Sequence, residues 1–329
     1  MTARIRAGIL GTGSALPKRV LSNSDLEKMV DTSNEWIVTR TGIEERRIAE
    51  PGEATSDYVF QACERALEMS GVQARDVDMV ICATVTPDHM FPTTANLVQD
   101  RLGCADASAF DLSAACSGFL YALSLGTSMI EAGRAKYILV SAGDLLSRIT
   151  DYTDRSTCVL FGDGAGAVLL GPVEGERGVL SFAIHSDGSG KDALYLKAGG
   201  SRFPATAETV ANREHFIGMA GRDTFKFAVN AMVSATEEVL EQSGLAPEDV
   251  ALYVPHQANL RIIDAARRKF HIPDDRVALT LKKYGNTSAS SIPIALDEFY
   301  RAGRVGEGDT VLCVGFGGGL TWGAAAIRL

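Results

Sequence analysis

Apolar and polar positions follow two alternating rhythms along this chain. In YVFQACERALEMSG (58–71), Val59, Ala62, Ala66 and Leu67 recur at the three-and-four spacing of a helix with one buried face, and Ser-Gly closes it. An acidic link then leads into MVICAT, an unbroken apolar run that predicts a buried strand. FKFAVNAMVSATEEVLEQSGLAPEDVALYVPH (225–256) repeats that order. Val77 then pairs with Val250, Asn96 of TTANLVQ with Asn259 of HQANLRI, and Gly133 of EAGRAKYILV with Gly303 of RAGRVGEGDTVLCV.

The repeat predicts an α/β chain of two duplicated halves, 1–175 and 176–329, packed about a pseudo-two-fold axis. Alternating strands and helices predict a mostly parallel sheet in each half, covered on both faces. The segment around Cys116 corresponds to KYGNTSASS around Asn286, so two helix starts are expected to meet near the axis.

Composition narrows the class. Hydrophobic residues make up 46% and charged residues 22%, values of a soluble globular chain. No apolar stretch approaches the roughly 20 residues of a spanning helix, and MTARIRAGILGTGSALP is too broken by Gly and Pro for a signal peptide. No membrane association and a cytoplasmic location are expected. A net charge of -9 argues against nucleic acid as the main partner. The six cysteines form no CxxC pair and have no nearby His at ligand spacing, so no metal site and no disulfide framework is expected.

Three glycine-rich stretches imitate nucleotide motifs. GILGTGSALP (8–17) follows a strand with G-x-G, but Leu16 stands where a third glycine would fall. HSDGSGKDA (185–193) puts His185 and Asp192 at defining positions of a P-loop, and GDGAGAVLL (162–170) reads as a tight turn into a buried strand. None supports a nucleotide enzyme.

Four other segments place reactive groups at strand or helix ends. Cys116 lies between AFDL, a strand, and GFLYALSLGTSMIEAG, a helix, whose N-terminus would favour a thiolate. A buried small hydrophobe is the alternative. His256 ends the strand of LYVPHQANLRIID, where α/β sites collect, or is simply structural. Asn286 of YGNTSASSIPIAL is a candidate side-chain amide or a helix cap. Gly317, Gly318 and Gly319 follow VLCV, either as a turn or as backbone N–H groups brought close to a substrate oxygen.

Together with VDTSNEWIVTRTGIEERRIA (30–49) and FGDGAGAVLL, these segments closely resemble, nearly end to end and in order, the β-ketoacyl-acyl carrier protein synthase III family of condensing enzymes. The resemblance implies the thiolase-like fold, with five layers (αβαβα), and a homodimer. It implies decarboxylative condensation of a short acyl-CoA, acetyl-CoA first, with malonyl-acyl carrier protein, starting type II fatty acid synthesis. No cofactor is implied, since coenzyme A is a substrate.

By the same resemblance, Cys116 is the nucleophile and completes a triad with His256 and Asn286. The backbone N–H groups of Cys116 and Gly318 form the oxyanion hole. Thr32, Trp36, Arg40 and Arg155 bind the nucleotide of coenzyme A, Trp36 and Arg155 holding the adenine between them. Phe316 forms an apolar wall beside the decarboxylation site, and Phe91 closes the partner subunit's acyl pocket and suggests short primers. Lys226, Arg261 and Arg268 form the basic patch for the acidic carrier protein. Rival readings are a sister condensing enzyme of secondary metabolism, a thiolase with Cys313 as its second cysteine, and a non-catalytic acyl-thioester binding protein.

Overall fold

The structure, a computed structural model, describes residues 5–329 apart from the side chains of Arg222 and Asp223. Its strands are β1 (Arg6–Ala15), β2 (Arg19–Ser22), β3 (Glu45–Ile48), β4 (Met79–Ala83), β5 (Ser108–Leu112), β6 (Ile138–Leu145), β7 (Asp163–Val173), β8 (Gly178–Ser186), β9 (Leu194–Leu196), β10 (Ile217–Met219), β11 (Leu252–Pro255), β12 (Thr310–Gly317) and β13 (Thr321–Arg328). The helices are α1 (Asn23–Leu26), α2 (Asn34–Thr41), α3 (Thr55–Ser70), α4 (Thr94–Leu102), α5 (Gly118–Glu131), α6 (Ala207–Ala211), α7 (Gly221–Ser243), α8 (Leu260–Lys269), α9 (Leu281–Tyr284) and α10 (Ser291–Arg301).

The first of two large sheets runs β1-β7-β6-β4-β5 and the second β11-β12-β13-β8, with β2–β3 and β9–β10 as separate two-stranded pairs. The strand kinds repeat: β4 lies parallel to β6 as β11 does to β12, and β6–β7–β1 run antiparallel in succession as β12–β13–β8 do. The second sheet lacks a full counterpart of β5; a single parallel bridge between Tyr253 and Val277 stands there. Helices α3 and α4 cover the outer face of the first sheet, α7 that of the second, and α5 and α10 fill the space between the sheets. These are the five layers of the thiolase-like fold.

The sheets are mixed rather than mostly parallel. Residues 146–162 bring the chain from β6 into β7 without a crossover helix, and a turn of three residues joins β12 to β13, so each second strand returns antiparallel. An apolar run reads the same in either direction, and the sequence pattern does not distinguish the two.

Helix α3 buries Val59, Ala62, Ala66 and Leu67 and stops at Gly71, whose φ is 72°. It rests on the G-x-G of β1: a Cβ at Gly11 would stand 2.2 Å from the Ala66 carbonyl oxygen, and one at Gly13 2.1 Å from that of Ala62. Those glycines serve helix-on-strand contact within a continuous strand, not a loop around phosphate.

The repeat is best seen at the central helices. Helix α5 follows a 3₁₀ turn at Ala115–Ser117, α10 one at Ser288–Ser290, and each turn opens on a residue with positive φ, Ala115 at 45° and Ser288 at 56°. The two starts meet, a Cβ at Gly118 falling 3.5 Å from that of Ala289. Gly133 and Gly303 end the equivalent helices, both with φ of 66°. The pairing of Asn96 with Asn259 is corrected. Asn259 caps α8, while the cap of α4 is Thr93 and Asn96 lies three residues further on, so Thr93 is the counterpart of Asn259.

Arg46 of β3 is fully buried and faces no carboxylate among its partners. Its guanidinium donates to the carbonyl oxygens of Leu21 and Val159 and to Asn23 Oδ1, and burial pulls its pKa down to about 10. Arg46→Met leaves three buried acceptors without a donor, at about 1–3 kcal/mol each. A loss of about 3 kcal/mol or more in denaturant unfolding is the expected outcome. A loss below about 1 kcal/mol would show that Arg46 is not what joins β2, β3 and the 159 segment.

Candidate active site

Cys116 lies in the 3₁₀ turn ahead of α5, where β5 hands the chain to the central layer. The end of β12 presses against it: a Cβ at Gly317 would stand 2.5 Å from the Cys116 amide nitrogen, so only glycine fits. Cys116 lines two chambers, as Phe161 and Leu194 also do. One, of about 210 Å³, is apolar and includes Val85, Leu146, Ile149, Phe161, Leu194 and Gly318. The other, of about 110 Å³, holds His256, Asn286, Phe316 and Phe225.

The thiol is not poised as thiolate. Burial pushes Cys116 up to about 12, against a weaker opposing pull from the Ser288 hydroxyl. This corrects the expectation drawn from the helix start: α5 begins two residues after the cysteine, and loss of water outweighs the favourable position.

His256 follows β11 and is 1% exposed. Burial lowers its pKa to about 3, so the imidazole is neutral at physiological pH. Its Nδ1 lies 2.7 Å from Ser291 Oγ, and the edge of Phe316 packs on the ring with centroids 5.4 Å apart at 70°.

Asn286 is held from both directions. Its N–H donates to the Leu160 carbonyl and its own carbonyl accepts from Gly162, while its side-chain Oδ1 accepts the Ser288 N–H at 2.9 Å. With Oδ1 used in that cap-like bond, the NH₂ is the end left for the chamber. That bond is an Asx turn rather than a helix cap, since Thr287 and Ser290 hold the cap positions of the Ser288–Ser290 turn and of α10.

Sequence reasoning missed Asp144, Ser288 and Ser291. Asp144 ends β6 fully buried; its Oδ1 accepts from Val85 N–H (2.8 Å), Thr86 N–H (3.2 Å) and the hydroxyls of Thr84 and Thr86 (3.1 and 3.0 Å). That fixes the loop carrying Val85 into the apolar chamber. Burial raises the carboxyl's pKa, and Ser288 acts on both Asp144 and Cys116. A serine in a run of small residues carries no signal of such a contact in its sequence.

Trp36 and Arg40 lie on α2, four residues apart and hence on one face. The Arg155 guanidinium sits 5.3 Å from the Trp36 ring centre and donates to the Asp31 carbonyl at 2.7 Å. Two stacked contacts need about 7 Å, so a planar base enters between them only if Arg155 swings outward. Thr32 Oγ1 is buried with no partner among the described residues. Phe91 is 85% exposed and lines neither chamber. Cys313 is buried inside β12 and lines neither chamber.

Helix α8 packs beside α2 and α7. Lys226, Arg261 and Arg268 are exposed on α7 and α8, and the Arg261 guanidinium lies over the Phe225 ring at 5.5 Å, at the edge of the His–Asn chamber. Arg268 also pairs with Asp264 at 3.9 Å, and Arg267 is taken up by Asp264 and Asp274.

Family models of 3-oxoacyl-[acyl-carrier-protein] synthase III match residues 110–188, and of its C-terminal part residues 240–329. The β-ketoacyl-[acyl-carrier-protein] synthase III of Caldanaerobacter subterraneus subsp. tengcongensis is 54% identical over 328 residues, covering 100% of this chain and 99% of that protein. The crystal structure of 3-oxoacyl-[acyl-carrier-protein] synthase III from Aquifex aeolicus VF5 superposes with a TM-score of 0.91 at 47% identity, covering 98% of this chain and 100% of that one. The priming β-ketosynthase of the R1128 polyketide biosynthetic pathway gives 0.93 at 37% identity, covering 99% and 97%. With its duplicated layers and a cysteine set between an apolar chamber and a His–Asn chamber, this chain belongs to the β-ketoacyl-[acyl-carrier-protein] synthase III family.

Proposed function

We propose that this chain carries out its family's reaction with the residues assembled around Cys116: a short acyl group from coenzyme A is condensed with malonyl-acyl carrier protein. The observation that carries the reading is the position of Cys116, shared by both chambers.

In the first half-reaction, the sulfur attacks the acyl-CoA carbonyl, its proton passing to the departing coenzyme A thiolate. One thioester replaces another at little intrinsic cost. The N–H groups of Cys116 and Gly318 hold the oxyanion, and the acyl chain rests in the apolar chamber. That chamber exceeds the roughly 150 Å³ of a cavity that accepts benzene, so chains longer than acetyl fit unless a partner narrows it.

In the second, the malonyl group of malonyl carrier protein enters the His–Asn chamber, with Phe316 as an apolar wall beside its carboxylate. Loss of CO₂ leaves an enolate whose oxygen accepts hydrogen bonds from His256 and the Asn286 NH₂. Its carbon attacks the acyl carbonyl on Cys116, the cysteine leaves as a thiolate, and a proton taken up from solvent restores the thiol. The His256 ring, neutral and beside Phe316, suits the donor role better than that of a base.

The nucleotide of coenzyme A lies along Thr32, Trp36, Arg40 and Arg155, and the carrier docks on Lys226, Arg261 and Arg268. A homodimer agrees with the half-exposed edge strand β5 and the exposed Met90 and Phe91. A cytoplasmic site of action is in keeping with six unpaired cysteines, and no helix among the described residues is long and apolar enough to cross a membrane.

The test is intact-protein mass after incubation with acetyl-CoA, followed by malonyl carrier protein. One acetyl gained on Cys116 and then lost as acetoacetyl carrier protein forms is the expected result. Acylation by a longer or branched donor alone would move the chain toward the polyketide-priming kind of relative; no acylation by any acyl-CoA would overturn the reading.

A further inference from the structure

We infer that Ser291 is a positioning residue that fixes His256 in the tautomer with its proton on Nε2, and so makes the imidazole a hydrogen-bond donor toward the His–Asn chamber. The inference rests on the proposed role of His256.

Ser291 is the first residue of α10 and is 1% exposed, so water does not reach its hydroxyl. A hydroxyl has one proton to give and two lone pairs to receive with. Ser291 Oγ already accepts the N–H of Gln257 at 3.2 Å. Its other close partner is His256 Nδ1 at 2.7 Å, and among the described residues no further acceptor for its proton is found. If Nδ1 carried the proton, Oγ would receive two hydrogen bonds and its own O–H would be buried without an acceptor. If the hydroxyl donates to Nδ1, every group in the set is satisfied and the ring proton must be on Nε2.

The surroundings hold this arrangement. Gln257, whose N–H orients the hydroxyl, is itself fully buried: its Nε2 donates to the carbonyls of Pro255 and Ala278, and its Oε1 accepts from the N–H groups of Thr280 and Leu281. The His256 backbone N–H donates to the Val314 carbonyl at 2.8 Å, and Phe316 packs against the ring. Nδ1 is thus committed to the protein, and Nε2 is the nitrogen that the chamber offers to a substrate oxygen. A proton already on Nε2 also keeps His256 from taking the one on Cys116.

The direct readout is the tautomer in the wild-type enzyme, from two-bond ¹⁵N–¹H correlation of protein labelled at histidine. The His256 signal is assigned by its loss in His256→Gln. The Nε2–H pattern is expected; the Nδ1–H pattern would overturn the inference. Kinetically, Ser291→Ala is expected to slow malonyl carrier decarboxylation about 10- to 100-fold, leaving self-acylation within about twofold. Ser291→Thr, which keeps the hydroxyl, is expected to restore most of the rate. Wild-type decarboxylation in Ser291→Ala, or equal loss of both half-reactions with no rescue by threonine, would also overturn it. Should His256→Ala decarboxylate normally, the proposed role of His256 fails instead, and the tautomer measurement still stands.

Discussion

Cys116→Ser is expected to gain no acyl mass from acetyl-CoA and to lose condensation by at least about 10³-fold, while decarboxylation of malonyl carrier protein continues. A hydroxyl is a far poorer nucleophile than a thiol at a site this dry, where burial already pushes the thiol up to about 12. On the proposed mechanism the sulfur attacks as its proton leaves, and oxygen holds that proton much more tightly. The separation of effects follows from the two chambers, since His256 and Asn286 lie in the one that does not need the acyl chain. Mass spectrometry of the intact protein and product assay are the checks. An acyl adduct on the serine variant at the wild-type rate would remove Cys116 from its role.

His256→Ala and Asn286→Ala are each expected to slow decarboxylation by about 10²–10³-fold, the usual loss for one donor to a developing oxyanion. Self-acylation should change only a few-fold. The double variant should fall little further than the worse single one, because on the proposed mechanism both groups donate to the same oxygen. The pH profile gives a separate check. A histidine depressed to about 3 is protonated only below that value, so the decarboxylation rate should show no histidine inflection between roughly pH 5.5 and 8. An acid limb near pH 6.5 that disappears in His256→Ala would mean that a titrating imidazole does the work.

Much of this site was legible before any coordinates. Cys116, His256 and Asn286 stand at ends of elements whose apolar runs and Gly stops are plain in the sequence, and the duplication predicted that the two helix starts meet. What could not be read depends on contacts between distant segments. Ser288 and Ser291 are two of several serines in one short run, and only the meeting of the halves separates a partner of Cys116 from a partner of His256. Asp144 reads as an acidic residue closing a strand, yet four donors from residues 84–86 converge on one of its oxygens. The effect of burial on the thiol was also hidden, because helix position is local while loss of water is a property of the whole interior. In the G-x-G of β1 the spacing was visible but its purpose was not: the helix whose carbonyls approach Gly11 and Gly13 begins some forty residues later.

The layer made by α5 and α10 also sets how the molecule comes apart. Its side chains belong to one apolar cluster that takes in Val140 and Val168 of the first sheet together with Val254 and Val311 of the second. A fragment ending near Val173 would hold β1 and β7 while missing α10, which covers them and whose Asp297 accepts from Thr12 and Ser14. Each half is the other's solvent shield. Melting is therefore expected as a single cooperative event, with calorimetric and circular-dichroism transitions that coincide.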